Sequence, residues 1–383
     1  MSLKNEKAQA KGGMGGGLVP GTYPPPRALR PTLVGEKWSV VAGHPRVSSV
    51  AAEIFSAGGN AIDAGVAAGI ASNVIQVDMA NFGGIAPILI RQANSKVAYS
   101  VAGVGRWSQS VSLKEMIERY NGSLPLGGAP AIVPGAPAAW ISALERFGTM
   151  SLKQVMEPAI ELARNGFLID QSLATSLEIT GRNFQKWPTS AAIFRPEGRA
   201  LIAGERLRQT ALADLLERLV TAESKSVGSR SEKLKAAHRA FYEGEVAETI
   251  TKTVVSRGGF MTLKDLANFE AEIEVAPSLM VKDWRFFATA SWSQGPTALA
   301  ILGILSRSKF TWHNLAEAIT LAFNDREDFL AEPLLMKKPL EELLSDKHLV
   351  SLANLIGENA IAGRASSSTV DSSLGSTTAV VTM

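Results

Sequence analysis

From Trp38 to the C-terminus, short apolar runs alternate with amphipathic stretches that begin at capping residues. WSVVAG, residues 38–43, predicts a strand. His44 and Pro45 turn the chain, Ser48 or Ser49 predicts the cap of a helix running to Phe55, and Gly58 and Gly59 end it with the backbone freedom a helix C-terminus needs. Asn60 caps the next predicted helix, AIDAGVAAGIASNVI, whose Ala and Gly on every face predict close packing all round and a place at the centre of the core. APILI and KVAYSVAG predict the two strands of a hairpin. Ser112 with Glu115 and Ser151 with Gln154 have the capping-box spacing, so helices are expected from Leu113 and Leu152. Asn314 with Glu317 is a weaker variant that predicts a helix from Leu315, ended by Pro333. The last stretch, SSSTVDSSLGSTTAVVTM, runs from a hydroxyl-rich loop into a β-branched strand, Thr377 to Thr382. No period of roughly 20 to 50 residues recurs, which excludes solenoids and propellers.

Strands, hairpins and capped helices without a composition break over residues 34–383 predict one layered α/β or α+β domain. Residues 1–33, Gly-rich and then Pro-rich, predict a disordered tail. The glycine run Gly12 to Gly17 has no strand before it and no helix after it, so it is not a phosphate loop.

Composition narrows the chemistry. The chain has 383 residues, 46% of them hydrophobic, with 39 Lys plus Arg against 36 Asp plus Glu and a formal net charge of +3. That balance is too small to predict a nucleic-acid or membrane-surface partner, and a small molecule is expected instead. The most apolar helical run, Ala61 to Ile75, carries Asp63 and two glycines, so it reads as a core helix and no membrane span is expected. The N-terminus lacks the apolar stretch of a secretory signal, which makes the cytoplasm the default expectation, with the periplasm as the alternative. There are no cysteines, so a covalent nucleophile must be Ser, Thr, Lys or a carboxylate. The four histidines, His44, His238, His313 and His348, are scattered without metal-ligand spacing, and no metal or cofactor is expected. The nearest approach to a nucleophile elbow, Ser291-Trp292-Ser293-Gln294-Gly295, lacks its first glycine. The C-terminal stretch then admits two readings: a loop entering a strand, or a loop cut before the hydroxyl residue that starts the strand, whose freed amine acts as its own base.

Seven collinear blocks bear on that choice: VVAGHPRVSSVAAEIFSAGGNAIDAGVAAGIASNVIQ, GVGRW, VPGAPAAWISALERFGTMSLKQVMEPAIELARNGF, GERLRQTALADLLERL, FYEGEVAETI, GGFMTLKDLANFEA and AEAITLAFNDREDFLAEP. In these the sequence resembles the gamma-glutamyltranspeptidase family of N-terminal-nucleophile hydrolases, from about residue 35 to 383. The resemblance implies an α+β fold, a four-layer αββα sandwich, and a precursor that cleaves itself before a Thr to give a large and a small subunit. It places the cut in Ser376-Thr377-Thr378-Ala379, between Ser376 and Thr377, with Thr377 as nucleophile and Thr378 or Ser376 as adjacent alternatives. It also assigns Arg106, in Gly105-Arg106-Trp107, to the substrate's α-carboxylate, where a planar guanidinium can grip both oxygens. Without the family context Arg106 would read as a surface arginine in a turn. Asp325, Arg326 and His44 also fall in matching blocks and are expected to be architectural.

The chain departs from the family pattern in three places. Ser291 to Thr297 stands where the family has a Pro-rich Ser-Ser-Gly-Gly segment, Asn81-Phe82-Gly83-Gly84-Ile85-Ala86 is a reduced glycine loop, and Ala379 replaces the His that often follows the Thr pair. These departures leave open a cephalosporin-acylase-like or other amide substrate in place of a gamma-glutamyl one. The chain ends at Met383, six residues past Thr377, so the expected partner is the family's small-subunit segment, carrying neighbouring strands and oxyanion donors. Residues 34–376 are then the large-subunit-like part and 377–383 the start of the small-subunit strand. On this reading the 383-residue polypeptide alone stays uncleaved and inactive and either self-associates, a homo-oligomer being one form of this, or resists soluble expression, its last strand lacking a ladder to join. The alternative is a non-catalytic remnant.

Overall fold

A computed structural model describes residues 33–121, 124–361 and 379–383. The tail expected over residues 1–33 therefore lies outside the described residues except at Leu33, and Ser376 and Thr377 lie outside them entirely. The chain divides into an N-terminal unit, Met1–Ser39, and a second unit, Val40–Met383, which contains every helix and strand among the described residues.

The second unit begins with strand β1, Val40–Ala42, and helix α1, Pro45–Ser56. The cap of α1 is His44 rather than Ser48 or Ser49: its Nδ1 accepts the Arg46 amide at 3.1 Å, and Pro45 supplies a preset φ at the first helical position. Ser49 instead donates back to the Pro45 carbonyl. Gly58, at φ +90, turns the chain out of α1 in a conformation that a side chain would strain.

Helix α2, Ala61–Ile75, is buried on nearly every face, as its composition predicts. Its small residues let neighbours approach closely: Gly69 faces the Trp140 ring, where an added Cβ would come within 2.4 Å. Its capping box pairs Asn60 with Asp63. Asp63 is fully buried and also accepts from the Thr149 amide (2.8 Å), the Thr149 hydroxyl (2.6 Å) and the Met150 amide (3.1 Å).

Strands β2, Ile88–Ile90, and β3, Tyr99–Val101, form the expected hairpin, in the register Ile88↔Val101 and Ile90↔Tyr99. A third strand, Ile273–Val275, pairs antiparallel with β3. Helices α3, Leu113–Tyr120, α4, Ala136–Phe147, and α5, Leu152–Asn165, follow. Ser112 caps α3 and the Ser151–Gln154 box caps α5, whose first amides also bind the buried carboxylate of Glu223, at 2.7 and 3.1 Å. Helix Trp312–Phe329 starts three residues earlier than expected, because Thr311, in extended conformation, accepts the Asn314 amide. It ends at Phe329, and Pro333 begins a separate 3₁₀ turn, Pro333–Leu335. It packs with helices Gly295–Leu305 and Asp346–Ala353 into a second, smaller apolar cluster.

The C-terminal strand is Val380–Thr382, and it does have a ladder: it pairs antiparallel with β1, Val40↔Thr382 to Ala42↔Val380. The expectation of an unpaired strand fails because β1, far away in sequence, supplies one edge. Thr382 Oγ1 also donates to the Ala61 carbonyl at 2.7 Å, pinning the strand to the start of α2.

The His44 cap gives the fold a pH dependence. Burial pushes its pKa below the usual 6.5, the Asp170 carboxylate partly opposing this and Arg46 adding to it. A lowered folded-state pKa means that the unfolded chain takes up a proton first as pH falls through about 6.5, so stability declines with falling pH in that range. Thermal melting should show the decline between pH 7.5 and 5.5. His44→Asn, which caps without titrating there, should flatten it; an unchanged decline in that variant would assign it to other groups.

Candidate active site

Arg106 is set by backbone contacts that only glycines allow. An added Cβ at Gly105 would lie 1.5 Å from the Val133 carbonyl oxygen, and one at Gly103 1.9 Å from that of Ala86. Val133 donates its amide to the Arg106 carbonyl, and the Gly84 carbonyl receives the amides of Gly135 and Ala136 at the start of α4. The same start is fixed from behind by buried Tyr242, whose hydroxyl donates to the Pro134 carbonyl at 2.6 Å and accepts the Ala138 amide. Burial pushes that hydroxyl's pKa upward, outweighing the amide bond, so it stays protonated.

Beyond Arg106 the chain is tied to a distant segment. Asp265 accepts from the Ser108 hydroxyl (2.6 Å), the Gln109 amide and both Thr262 donors. Partial burial opposes ionisation of Asp265, but the bonds from Ser108, Thr262 and Gln109 outweigh it and hold the carboxyl below its ordinary range. This contact brings the GVGRW block against the segment around Phe269. On the other side, the Trp292 indole donates to Glu274 at 2.7 Å and the Ala290 amide to the buried Ser100 hydroxyl, so the Ser291–Thr297 segment is held by the three-stranded sheet.

These segments enclose a cavity of about 500 Å3 whose walls include Arg106, Trp107, Phe269, Trp292, Glu332 and Leu335. The Arg106 Nη2 lies 3.0 Å from Glu272 Oε1 and 3.2 Å from Glu332 Oε1. Arg106 and Glu272 are more than half exposed, at 55% and 63%, and such a surface pair is typically worth about 0–1 kcal/mol, whereas Glu332 is half-buried. The structure places Arg106 on the wall of this cavity, while Ser376 and Thr377 fall outside the described residues. Asp325 and Arg326 make structural contacts, to His348 and to Gln294 respectively. Glu272 and Glu332 were not singled out from the sequence. Glu332 falls within a resembling block, AEAITLAFNDREDFLAEP, and Glu272 directly follows another, GGFMTLKDLANFEA, and those adjacencies were the available signal.

Several solved structures share this architecture. The Helicobacter pylori gamma-glutamyltranspeptidase superposes with a TM-score of 0.77 at 24% identity, over 87% of this chain and 95% of that one. The cephalosporin acylase from Bacillus halodurans does so with a TM-score of 0.76 at 27% identity, over 88% of this chain and 64% of that one. The fold is therefore the α+β, four-layer αββα sandwich of the N-terminal-nucleophile hydrolases. The family model for gamma-glutamyltranspeptidase matches residues 47–383, and the chain belongs to that family. The glutathione hydrolase-like YwrD proenzyme of Bacillus subtilis (strain 168) is 30% identical over 344 residues, which are 87% of this chain and 62% of that protein. The chain thus spans less than two thirds of that relative's length. Among the described residues, no helix is long and apolar enough to cross a membrane.

Proposed function

We propose that this protein is an amide hydrolase or acyltransferase with Thr377 as nucleophile and Arg106 as the anchor for the donor's carboxylate. The observation that carries the reading is the setting of Arg106: an accessible guanidinium on a cavity wall, paired among the described residues with the exposed Glu272 and the half-buried Glu332. In the precursor, the Thr377 hydroxyl oxygen attacks the Ser376 carbonyl carbon, and the peptide C–N bond breaks as the nitrogen gains a proton. Water then hydrolyses the resulting ester, leaving a Ser376 carboxylate and a free Thr377 amine. An α-amine titrates near about 7.7–8.0, close enough to neutrality to act as general base. The same hydroxyl next takes an acyl group from an amide, releases the amine, and passes the acyl group to water or to a second amine.

Residues 34–376 are, on this proposal, the large-subunit part and 377–383 the start of the small-subunit strand. Turnover belongs to this chain together with a counterpart of the remaining length of its relatives. A gamma-glutamyl donor is the first reading, in keeping with the glutathione hydrolase-like relative. A cephalosporin-acylase-like donor is the second, in keeping with the solved acylase and with the Ser291–Thr297 departure.

The test is Arg106→Ala. Hydrogen bonds to a charged group are worth roughly 1.5–3 kcal/mol, so KM for donors with a free α-carboxylate should rise at least about tenfold, with donors lacking one little affected and self-cleavage intact. Equal losses on both donor types would show that Arg106 does not read the carboxylate.

A further inference from the structure

The cavity has a charge imbalance that constrains the other half of the substrate. Among the described residues that line it, Arg106 is the one cation, against three carboxylates, Glu270, Glu272 and Glu332. Once a donor's carboxylate occupies Arg106, the described lining has no cation left and all three Glu side chains remain. A second carboxylate on the amine portion would face like charge from Glu270, Glu272 and Glu332, with no further cation among the described lining residues to pair with. The remaining wall is largely apolar: Trp107, Phe269, Trp292 and Leu335 line it, and Trp107 and Leu335 are 40% and 73% exposed. Aromatic side chains left open beside a polar anchor offer stacking area to a planar group.

We propose that Trp107 and the Glu270–Glu272–Glu332 wall are specificity determinants, selecting amides whose amine portion is aromatic or apolar and carries no negative charge. Peptide amides ending in a carboxylate, glutathione among them, are then poor ligands. The proposal rests on Arg106 anchoring the acyl part, as set out under Proposed function. Trp292 is already held through its indole N–H by Glu274, which leaves Trp107 as the freer stacking surface.

Titration calorimetry on the 383-residue chain with γ-glutamylanilide, γ-glutamylglycinamide and γ-glutamylglycine tests it. The anilide should bind at least about tenfold more tightly than γ-glutamylglycine, with the neutral glycinamide between them. Trp107→Ala should bring the anilide down to the glycinamide and leave the other two unchanged. Glu270→Gln, which does not touch Arg106, should narrow the gap between glycinamide and glycine. Binding of γ-glutamylglycine as tight as the anilide's in the unmodified chain would overturn the proposal while leaving the anchor standing. Affinities for all three that are unchanged in Arg106→Ala would overturn the anchor, and the proposal with it.

Discussion

Thr377→Ala is expected to abolish both self-cleavage and amide hydrolysis, with kcat/KM falling at least about 10⁴-fold, while the protein remains folded. Removing a covalent nucleophile leaves only binding and electrostatic contributions, and in enzymes that work this way the loss is several orders of magnitude. Folding should survive because the strand that follows is held independently: Val380–Thr382 is laddered to β1, and Thr382 is bonded to the Ala61 carbonyl. Thr377→Ser keeps a hydroxyl and should still cleave, whereas Thr378→Ala should cleave at the same bond. Activity assays on gamma-glutamyl anilides with intact-mass measurement separate these cases. Full cleavage and activity in Thr377→Ala would move the nucleophile to Thr378 or Ser376.

The second large effect is on stability. Asp63→Ala should lower the free energy of unfolding by about 3–5 kcal/mol, comparable with breaking a buried ionic network. Its carboxylate is fully buried and receives the Asn60, Thr149 and Met150 amides and the Thr149 hydroxyl. Without it those donors lose their acceptor, the capping box of α2 opens, and the turn leading into α5 is released from the core helix. Urea unfolding should show a lower midpoint at an unchanged slope. A loss below about 1 kcal/mol would mean that water or the neighbouring carbonyls replace the carboxylate.

What the sequence reveals of this fold is local. The central helix α2 could be read because Asn60 is a strong cap and Ala and Gly recur on every face, and the β2–β3 hairpin because its two strands are close in sequence. The His44 cap was missed because histidine is outside the usual capping set, and only the extended backbone before Pro45 reveals it. The Thr311 cap was displaced onto Asn314, which is itself the residue whose amide Thr311 receives. The pairing of the last strand with β1 had no local sign, and the closure of the cavity by Glu272 and Glu332 showed only as their place in or beside resembling blocks. The two carboxylates lie 166 and 226 residues from Arg106, so their meeting is a product of tertiary packing. Three of the resembling blocks, GVGRW, GGFMTLKDLANFEA and AEAITLAFNDREDFLAEP, each contribute wall residues to that cavity, so the candidate site was present in the sequence as fragments without a geometry.

The most direct test of the central claim is mass spectrometry of the protein expressed from the full reading frame that contains these residues. Two chains are expected after maturation, the second beginning at Thr377, together with hydrolysis of an amide donor that is lost in Thr377→Ala. A new N-terminus at another residue, or full activity in an uncleaved protein, would contradict it.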